Sequence, residues 1–407
     1  MGENSKISWT HHTWNPWWGC HRVSPGCEHC YAETFAKRTG HAVWGRTAPR
    51  RFLRNPFAAL VKMQHRAHHT GERHRVFIAS MADIFEAHPE PEVRARQDAI
   101  RAELWALVPS LASLDLLLLT KRPQNVREMV PASWMADGFP RNIWLGTTCE
   151  DQQRADERIP HLLDCPAAVR WVSYEPALGT VNFEPGLTPR WKCNCTPGCR
   201  DGAEVSDSNG CPMCPRCGVK IGGEPRPGLD WIVVGGESGA GARRFNVQWA
   251  RDTIEACAEA GVACFTKQMG ANVVTRNDDN LTDCLDDDPP GWQMHPDDVE
   301  ENINGYREEH QGALVRLRLR DAKGGDPNEW PEDLRVRQYP GGSAMYRASH
   351  TKCRGGRYQC ARHQGGVGTL MFGGVVAAAA SQQPVTCQQV GTASTQPAIR
   401  DPGAGGL

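Results

Sequence analysis

Leu114–Leu119 reads LDLLLL and runs straight into Thr120, Lys121, Arg122 and Pro123. Six residues with a single polar member have neither the alternation of a half-exposed strand nor the length of a helix. A near-continuous apolar run closed by a polar cluster fits a parallel strand covered on both faces. The pattern recurs in Arg75–Ser80 (RVFIAS), Ile143–Gly146 (IWLG), Val169–Val172 (VRWV), Trp231–Val234 (WIVV) and Ala263–Thr266 (ACFT), and a short strand is expected at Ile7–Trp9. Between the runs, Glu92–Leu107, Asp151–Leu163 and Val247–Ala260 have helical composition and spacing. About seven strand-helix units predict an α/β fold, a full or partial (β/α) barrel of the TIM kind, with an open doubly wound sheet as the competing arrangement.

The chain has 407 residues, 40% of them hydrophobic, which is enough for one large domain of this kind. That domain is expected over residues 1–190 and 224–340, interrupted by a cysteine-rich insertion at 191–223 and followed by a low-complexity, disordered tail at 341–407. A formal net charge of -1 argues against nucleic-acid binding by bulk electrostatics and leaves room for a local basic groove. No apolar run reaches membrane-spanning length, and MGENSKISWT has no signal or transit pattern, so a cytoplasmic protein without membrane attachment is expected.

Seventeen cysteines in a reducing compartment are poorly explained by disulfides, so the clustered ones are read as metal or cluster ligands. The isolated Cys149, Cys165, Cys257, Cys264 and Cys284 are expected to be small buried side chains. Between Trp191 and Gly223 lie Cys193, Cys195, Cys199, Cys211, Cys214 and Cys217, in a polar segment with little to bury. Paired cysteines around a loop of about a dozen residues have zinc-ribbon spacing, so four of these six are expected to hold a structural zinc. Redox-labile surface thiols are the alternative. Cys353, Cys360 and Cys387, in the tail, are not expected to be ligands.

A second cluster stands near the start. In GCHRVSPGCEHCYAE, Gly19–Glu33, three cysteines occur: Cys20, Cys27 and Cys30. A structural zinc is closed by four ligands, whereas three thiolates suit a four-iron, four-sulfur cluster whose fourth iron binds something else. The alternative is zinc completed by His11, His12, His21, His29 or a distant cysteine.

This segment resembles the cluster loop of the radical S-adenosylmethionine superfamily, near the spore photoproduct lyase branch, in which Tyr-Ala follows the last cysteine as Tyr31 and Ala32 do here. Six residues separate Cys20 from Cys27, a longer interval than the superfamily usually has. Over most of residues 5–340 the chain also resembles phage and prophage proteins with a three-cysteine motif and no assigned function. That likeness rests on WTHHTWNPWWGC, ASMADIFE, LLLTKRP, WLGTTCED, VSYEPALG, IVVGGESGAGAR, FTKQMG and KGGDPNEWPEDLRVRQYP. The superfamily resemblance implies S-adenosylmethionine chelated to the open iron, its reductive cleavage to a 5'-deoxyadenosyl radical, and a separate electron donor. Its lesion-repair branch implies a nucleic-acid substrate. The competing expectation is a non-catalytic phage factor with zinc at both cysteine groups, binding nucleic acid or a partner protein.

Barrels carry their sites at the C-terminal ends of strands. Under the resemblance, Ser80 and Asp83 of SMADIFE contact the cofactor's amino group. Lys121 and Arg122 are candidates for its carboxylate or a substrate phosphate, and Thr147, Thr148, Glu150, Ser173, Tyr174, Glu175, Lys267 and Gln268 complete the set of strand-end polar groups. In VVGGESGAGAR, Gly235 and Gly236 would let backbone amides approach a phosphate or ribose, with Glu237 and Arg243 as polar neighbours. The glycine spacing and late position do not fit a dinucleotide fingerprint. Trp14, Trp17 and Trp18 are read as shielding a cluster, stacking on a base, or packing under the loop. Arg46, Arg50, Arg51 and Arg54, interleaved with Trp44 and Phe52, form a basic stretch suited to a nucleic-acid backbone.

Overall fold

A computed structural model describes residues 2–187, 205–206, 212–213, 228–276 and 314–341. Its main sheet has seven parallel strands: β1 His12–Trp14, β2 His74–Ile78, β3 Leu114–Thr120, β4 Ile143–Thr148, β5 Val169–Tyr174, β6 Trp231–Gly235 and β7 Ala263–Gln268. They lie side by side in sequence order, every neighbouring pair parallel, and Gly2–Glu3 adds antiparallel to β1. A doubly wound sheet reverses its order at a switch point. This one never does, so right-handed crossovers put the helices on a single face. The longest are α2 Phe57–Thr70, α3 Pro91–Leu107, α4 Gln152–Leu163 and α5 Val247–Ala260, whereas the earlier α1 Tyr31–Arg38 packs in a separate cluster, Ala32 and Ala36 with Val43 and Met81. The sheet curls into a half-barrel with its concave face inward.

Strand alternation splits the apolar runs between two cores. Val76, Ile78, Leu114, Leu116, Leu118, Ile143, Leu145, Val172, Ile232 and Val234 pack against the helices. Phe77, Leu117, Trp144, Trp171, Trp231, Val233 and Phe265 form the concave side, joined by Trp9. Indole rings fill the concave interior: Trp9 to Trp171 and Trp171 to Trp231 are each 5.3 Å between centroids. Room for Trp171 comes from Gly146, where a Cβ would lie inside the indole. Trp171 is hemmed in by Trp9 and Trp231 and cannot retreat, so Gly146→Val is expected to cost at least about 1–3 kcal/mol in overpacking. Chemical denaturation of the two proteins checks this.

The exposed edge of β7 is covered by the chain's own later segment. Thr266 N–H donates to the Val336 carbonyl (2.8 Å) and Gln338 N–H to Cys264 (2.9 Å), which removes an unpaired edge. Tyr339 then turns under the concave face, its ring 5.5 Å from Trp231 and under the Arg75 guanidinium at 3.8 Å. A small sheet of Phe245–Asn246, Val273–Arg276 and Leu314–Leu317 flanks α5.

One expected strand is absent. Ile7–Trp9 forms a turn, closed by Thr10 N–H to the Ile7 carbonyl at 3.1 Å, and the sheet begins at His12 instead. The apolar character of that stretch reflects Trp9, 2% exposed, which plugs the concave core. Cys149, Cys165, Cys257 and Cys264 are buried, as expected. Cys193, Cys195, Cys199, Cys211, Cys214 and Cys217 of the insertion, Cys284, and the tail beyond residue 341 lie outside the described residues, apart from a two-residue ladder of Val205–Ser206 with Pro212–Met213. Among the described residues no helix is long and apolar enough to cross a membrane.

Candidate functional site

The segment after β1 crosses the C-terminal ends of the strands. Trp17–Trp18 pairs with Arg51–Phe52, Gly19 delivers Cys20, a single turn at Pro25–Cys27 follows, and Cys30 is the N-cap of α1. A loop of this length has little to bury, so its position must come from polar anchors. Four carboxylates supply them, two from the segment after β2 and one each from beyond β4 and β6.

The first is Glu86, with no exposed side-chain surface. It receives Arg50 Nε and Nη2, both at 2.8 Å, His21 Nδ1 at 2.8 Å and Gln97 Nε2 at 3.1 Å. Asp83 accepts from Thr120 Oγ1 (2.8 Å), from the Lys121 amide (3.2 Å) and from Arg122 Nη1 (2.8 Å). Arg122 in turn donates to the His21 carbonyl at 2.9 Å and lies 3.6 Å from Cys20 Sγ. Glu150, also fully buried, accepts from the Gly26 amide (3.0 Å) and from Arg158 (2.9 Å). Glu237 accepts from His29 Nδ1 and from Arg243, each at 2.8 Å, while Arg243 Nη1 donates to the Pro25 carbonyl (3.0 Å) and Glu28 (2.9 Å). A further tie runs from the Tyr31 hydroxyl to the Ser80 carbonyl at 2.6 Å, and Asn15 bridges Ser80 Oγ and the Met81 amide.

These contacts redistribute the sequence candidates. Asp83 and Glu237 have their oxygens engaged in holding the loop. Thr147 lies on the helix side, its hydroxyl donating to the Thr120 carbonyl at 2.9 Å. Gly235 and Gly236 serve close chain packing: a Cβ on Gly235 would meet Glu175 Oε1 at 3.0 Å, and one on Gly236 would overlap the Met269 carbonyl. The inward set is Lys121, Thr148, Ser173, Glu175 and Lys267, two or four residues beyond the concave apolar residues Leu117, Trp144, Trp171 and Phe265 of the same strands. Lys121 Nζ reaches Thr148 Oγ1 at 3.3 Å, Ser173 Oγ reaches Glu175 Oε2 at 3.3 Å, and Lys267 pairs with Glu175 at 2.8 Å. Beside the loop, a cavity of about 420 Å³ is lined by His21, Lys121, Arg122, Arg158 and His161 among others.

Sequence reading missed Glu86, Arg158 and Asn15. Glu86 closes SMADIFE, and a carboxylate beside a buried arginine such as Arg50 was the available signal. Arg50 itself belongs to the anchor and is not a free phosphate contact.

Electrostatics follow from burial. Desolvation pushes the Cys20 thiol up to about 12, against the pull of the Arg122 charge, and raises Cys30 as well, against nearby amides and Lys121. Cys27 is near enough to influence both. Burial alone would raise Glu86, but hydrogen bonds from Arg50 and His21 and the charges of Arg50 and Arg122 hold it at about 2. Among the described residues no three His, Cys, Asp or Glu side chains gather tightly enough for a single ion. Cys20 and Cys30 are desolvated thiols on one anchored loop that also carries Cys27, with Arg122 near Cys20 and Lys121 near Cys30 to balance thiolate charge; they are the residues available to a cluster in which each thiolate binds its own iron. Of the histidines weighed as a fourth zinc ligand, His21 and His29 are tied to Glu86 and Glu237. His11 stacks on His74 at 5.0 Å and His12 Nε2 meets His74 Nδ1 at 3.0 Å, at the opposite end of β1.

Fold and site together define an α/β protein with a parallel half-barrel and a three-cysteine loop fixed over its C-terminal mouth. The chain belongs to the family described as protein of unknown function (DUF5131), whose model matches residues 4–335. No curated protein and no solved structure matches it.

Proposed function

We propose that this chain is an iron-sulfur enzyme of the radical S-adenosylmethionine type. The observation that carries the reading is the placement of Cys20, Cys27 and Cys30 on one loop, held by Glu86, Asp83, Glu150 and Glu237, over the strand ends of a parallel half-barrel. Such anchoring is what a site needs when its geometry must be fixed before a ligand arrives. When bound, the cluster and S-adenosylmethionine supply one-electron cleavage of the cofactor to a radical that abstracts hydrogen.

The chain's own residues then have distinct roles. Cys20, Cys27 and Cys30 hold the cluster, with Arg122 balancing the charge on Cys20. Glu175, already paired with Lys267, is the acceptor for a cofactor ammonium, and Lys121 the donor to its carboxylate. Ser173 and Thr148 offer hydroxyls between them. The tryptophan layer below keeps water from the floor of the site. This reading also calls for an external electron donor and for a nucleic-acid substrate, and it keeps a structural zinc in the insertion.

The test is anaerobic reconstitution with iron and sulfide, metal analysis, and electron paramagnetic resonance of the reduced protein with and without S-adenosylmethionine. The expected result is about four irons per chain, a cluster signal altered by the cofactor, and loss of both in the Cys20→Ala, Cys27→Ala, Cys30→Ala triple variant. Protein that holds only zinc and rebuilds no cluster overturns the proposal and makes the chain a zinc-binding factor.

A further inference from the structure

α1 and the strand pair beside it carry an unusual surface. Tyr31 is 58% exposed and Phe35 38%, two of the few large hydrophobic side chains left in solvent among the described residues. Neither is loose. The Tyr31 hydroxyl is tied to the Ser80 carbonyl, so its ring is presented to solvent in a fixed orientation. Phe35 packs edge-on against Trp18 at 5.7 Å, and Trp18 against His41 at 5.5 Å.

Two guanidiniums lie on these rings. Arg51 sits 4.5 Å from the Trp18 centroid and Arg38 5.5 Å from that of Phe35. Stacking of this kind pre-orders the guanidinium while leaving its N–H edge and outer face available. Residues 18–54 hold seven Lys and Arg against two carboxylates, in a chain of net charge -1. Both carboxylates are already matched: Glu28 by Arg243, Glu33 by Arg22 and Lys37. Arg50 is matched by buried Glu86. Among the described residues, the positive charge without an ion pair in this stretch therefore belongs to Arg38, Arg46, Arg51 and Arg54.

From these observations we infer that the face built by Trp18, Tyr31, Phe35, Arg38 and Arg51 binds single-stranded nucleic acid. Fixed exposed rings stack bases without demanding a sequence, and ordered guanidiniums meet phosphates or extend the stack. Duplex is a poor occupant, because its bases present no free faces. An acidic peptide would satisfy the charge and leave the rings without function. Because α1 starts at Cys30, a strand lying on this face has its nucleotides beside the cysteine loop. Its use as substrate rests on the radical-enzyme reading; its binding does not.

The experiment uses the full chain and a fluorescein-labelled oligothymidine of about 15 nucleotides, the upper range of a single-domain footprint. Anisotropy is followed across a salt series, with duplex DNA and polyglutamate as competitors and with iron content measured on the same samples. Salt-dependent binding is expected, displaced by unlabelled single strand and poorly by either competitor. Arg38→Glu with Arg51→Glu is expected to weaken it at least about 10-fold and to lower the salt slope by about 0.7 for each cation removed. Phe35→Ala is expected to cost about 10-fold, the usual loss for one stacking ring. Photocrosslinking of a thiothymidine oligonucleotide to the unaltered protein is expected to mark peptides within residues 18–54. No salt-dependent binding, equal competition by polyglutamate or duplex, unchanged affinity in both variants, or crosslinks elsewhere would overturn the inference. Iron content unchanged in the variants keeps that failure separate from failure of the cluster reading.

Discussion

Glu86→Gln is expected to lower the stability of the chain by about 3–5 kcal/mol, the usual cost of leaving a buried charge without its partner. The partner is Arg50, whose side chain has no exposed surface. Its guanidinium also donates to the carbonyls of Val43 (3.2 Å), Ala48 (2.6 Å) and Gly45 (3.1 Å), so its hydrogen bonds survive the substitution in part but its charge does not find a new counterion. A fall of roughly 10 °C in thermal midpoint corresponds to this loss for a domain of this size. The pH dependence provides a second signature. Glu86 ionises at about 2 in the folded chain against an ordinary 4.5. A depressed carboxyl stabilises the fold above its unfolded value, and that contribution, about 3 kcal/mol, drains away as pH falls from about 5 to 2. Chemical denaturation across that window is expected to show a slope in the unaltered protein that is shallower in Glu86→Gln. Replacing Arg50 by Met in the same background is expected to recover part of the loss, since removing both partners is milder than removing one. Equal stability of Glu86→Gln and the parent at pH 7 would show that this carboxylate is not the hub of the loop's support.

The strands were legible because a parallel strand buried on both faces leaves a continuous apolar word, and LDLLLL, RVFIAS and WIVV each contain one. That same continuity hides which residue faces the helices and which the concave side. Leu116 and Leu117 look alike in sequence and belong to different cores. Ile7–Trp9 was misread because an apolar plug and an apolar strand share a composition. Around the candidate site, three close cysteines without a fourth stood out in the sequence, whereas the anchors could not. His29 and Glu237 meet across 208 residues, and Gly26 and Glu150 across 124. A carboxylate after a strand looks the same whether it faces solvent, a ligand or a loop. The glycines of VVGGESGAGAR show a similar ambiguity. A glycine indicates only that something approaches closely, and at Gly236 it is the Met269 carbonyl rather than a phosphate.

The second large effect is expected at Gly19, where close approach and the cysteine loop coincide. Its φ of 115° is a conformation that side-chain-bearing residues rarely adopt. A Cβ there would run into the Val43 carbonyl and come within 2.8 Å of Arg50 Cδ, while the Gly19 amide must still donate to the Met81 carbonyl at 3.0 Å. Neither neighbour can give way easily, because Val43 accepts from the Arg50 guanidinium and Arg50 is clamped to Glu86. Gly19→Ala therefore combines backbone strain with overpacking, together about 2–4 kcal/mol, and the relief available is a shift of the adjoining Cys20. Reduced thermal stability and a marked fall in reconstituted iron are the expected results. Gly40→Ala is the matched comparison: its φ is 78° and nothing lies within 4 Å of a Cβ, so it bears strain without a clash. It is expected to lose about 1 kcal/mol and, under the proposed iron-sulfur reading, to take up iron on reconstitution as the parent does. If Gly19→Ala behaves like Gly40→Ala in both measurements, the loop is not positioned by this contact, and the four carboxylate anchors must suffice to bring Cys20, Cys27 and Cys30 together.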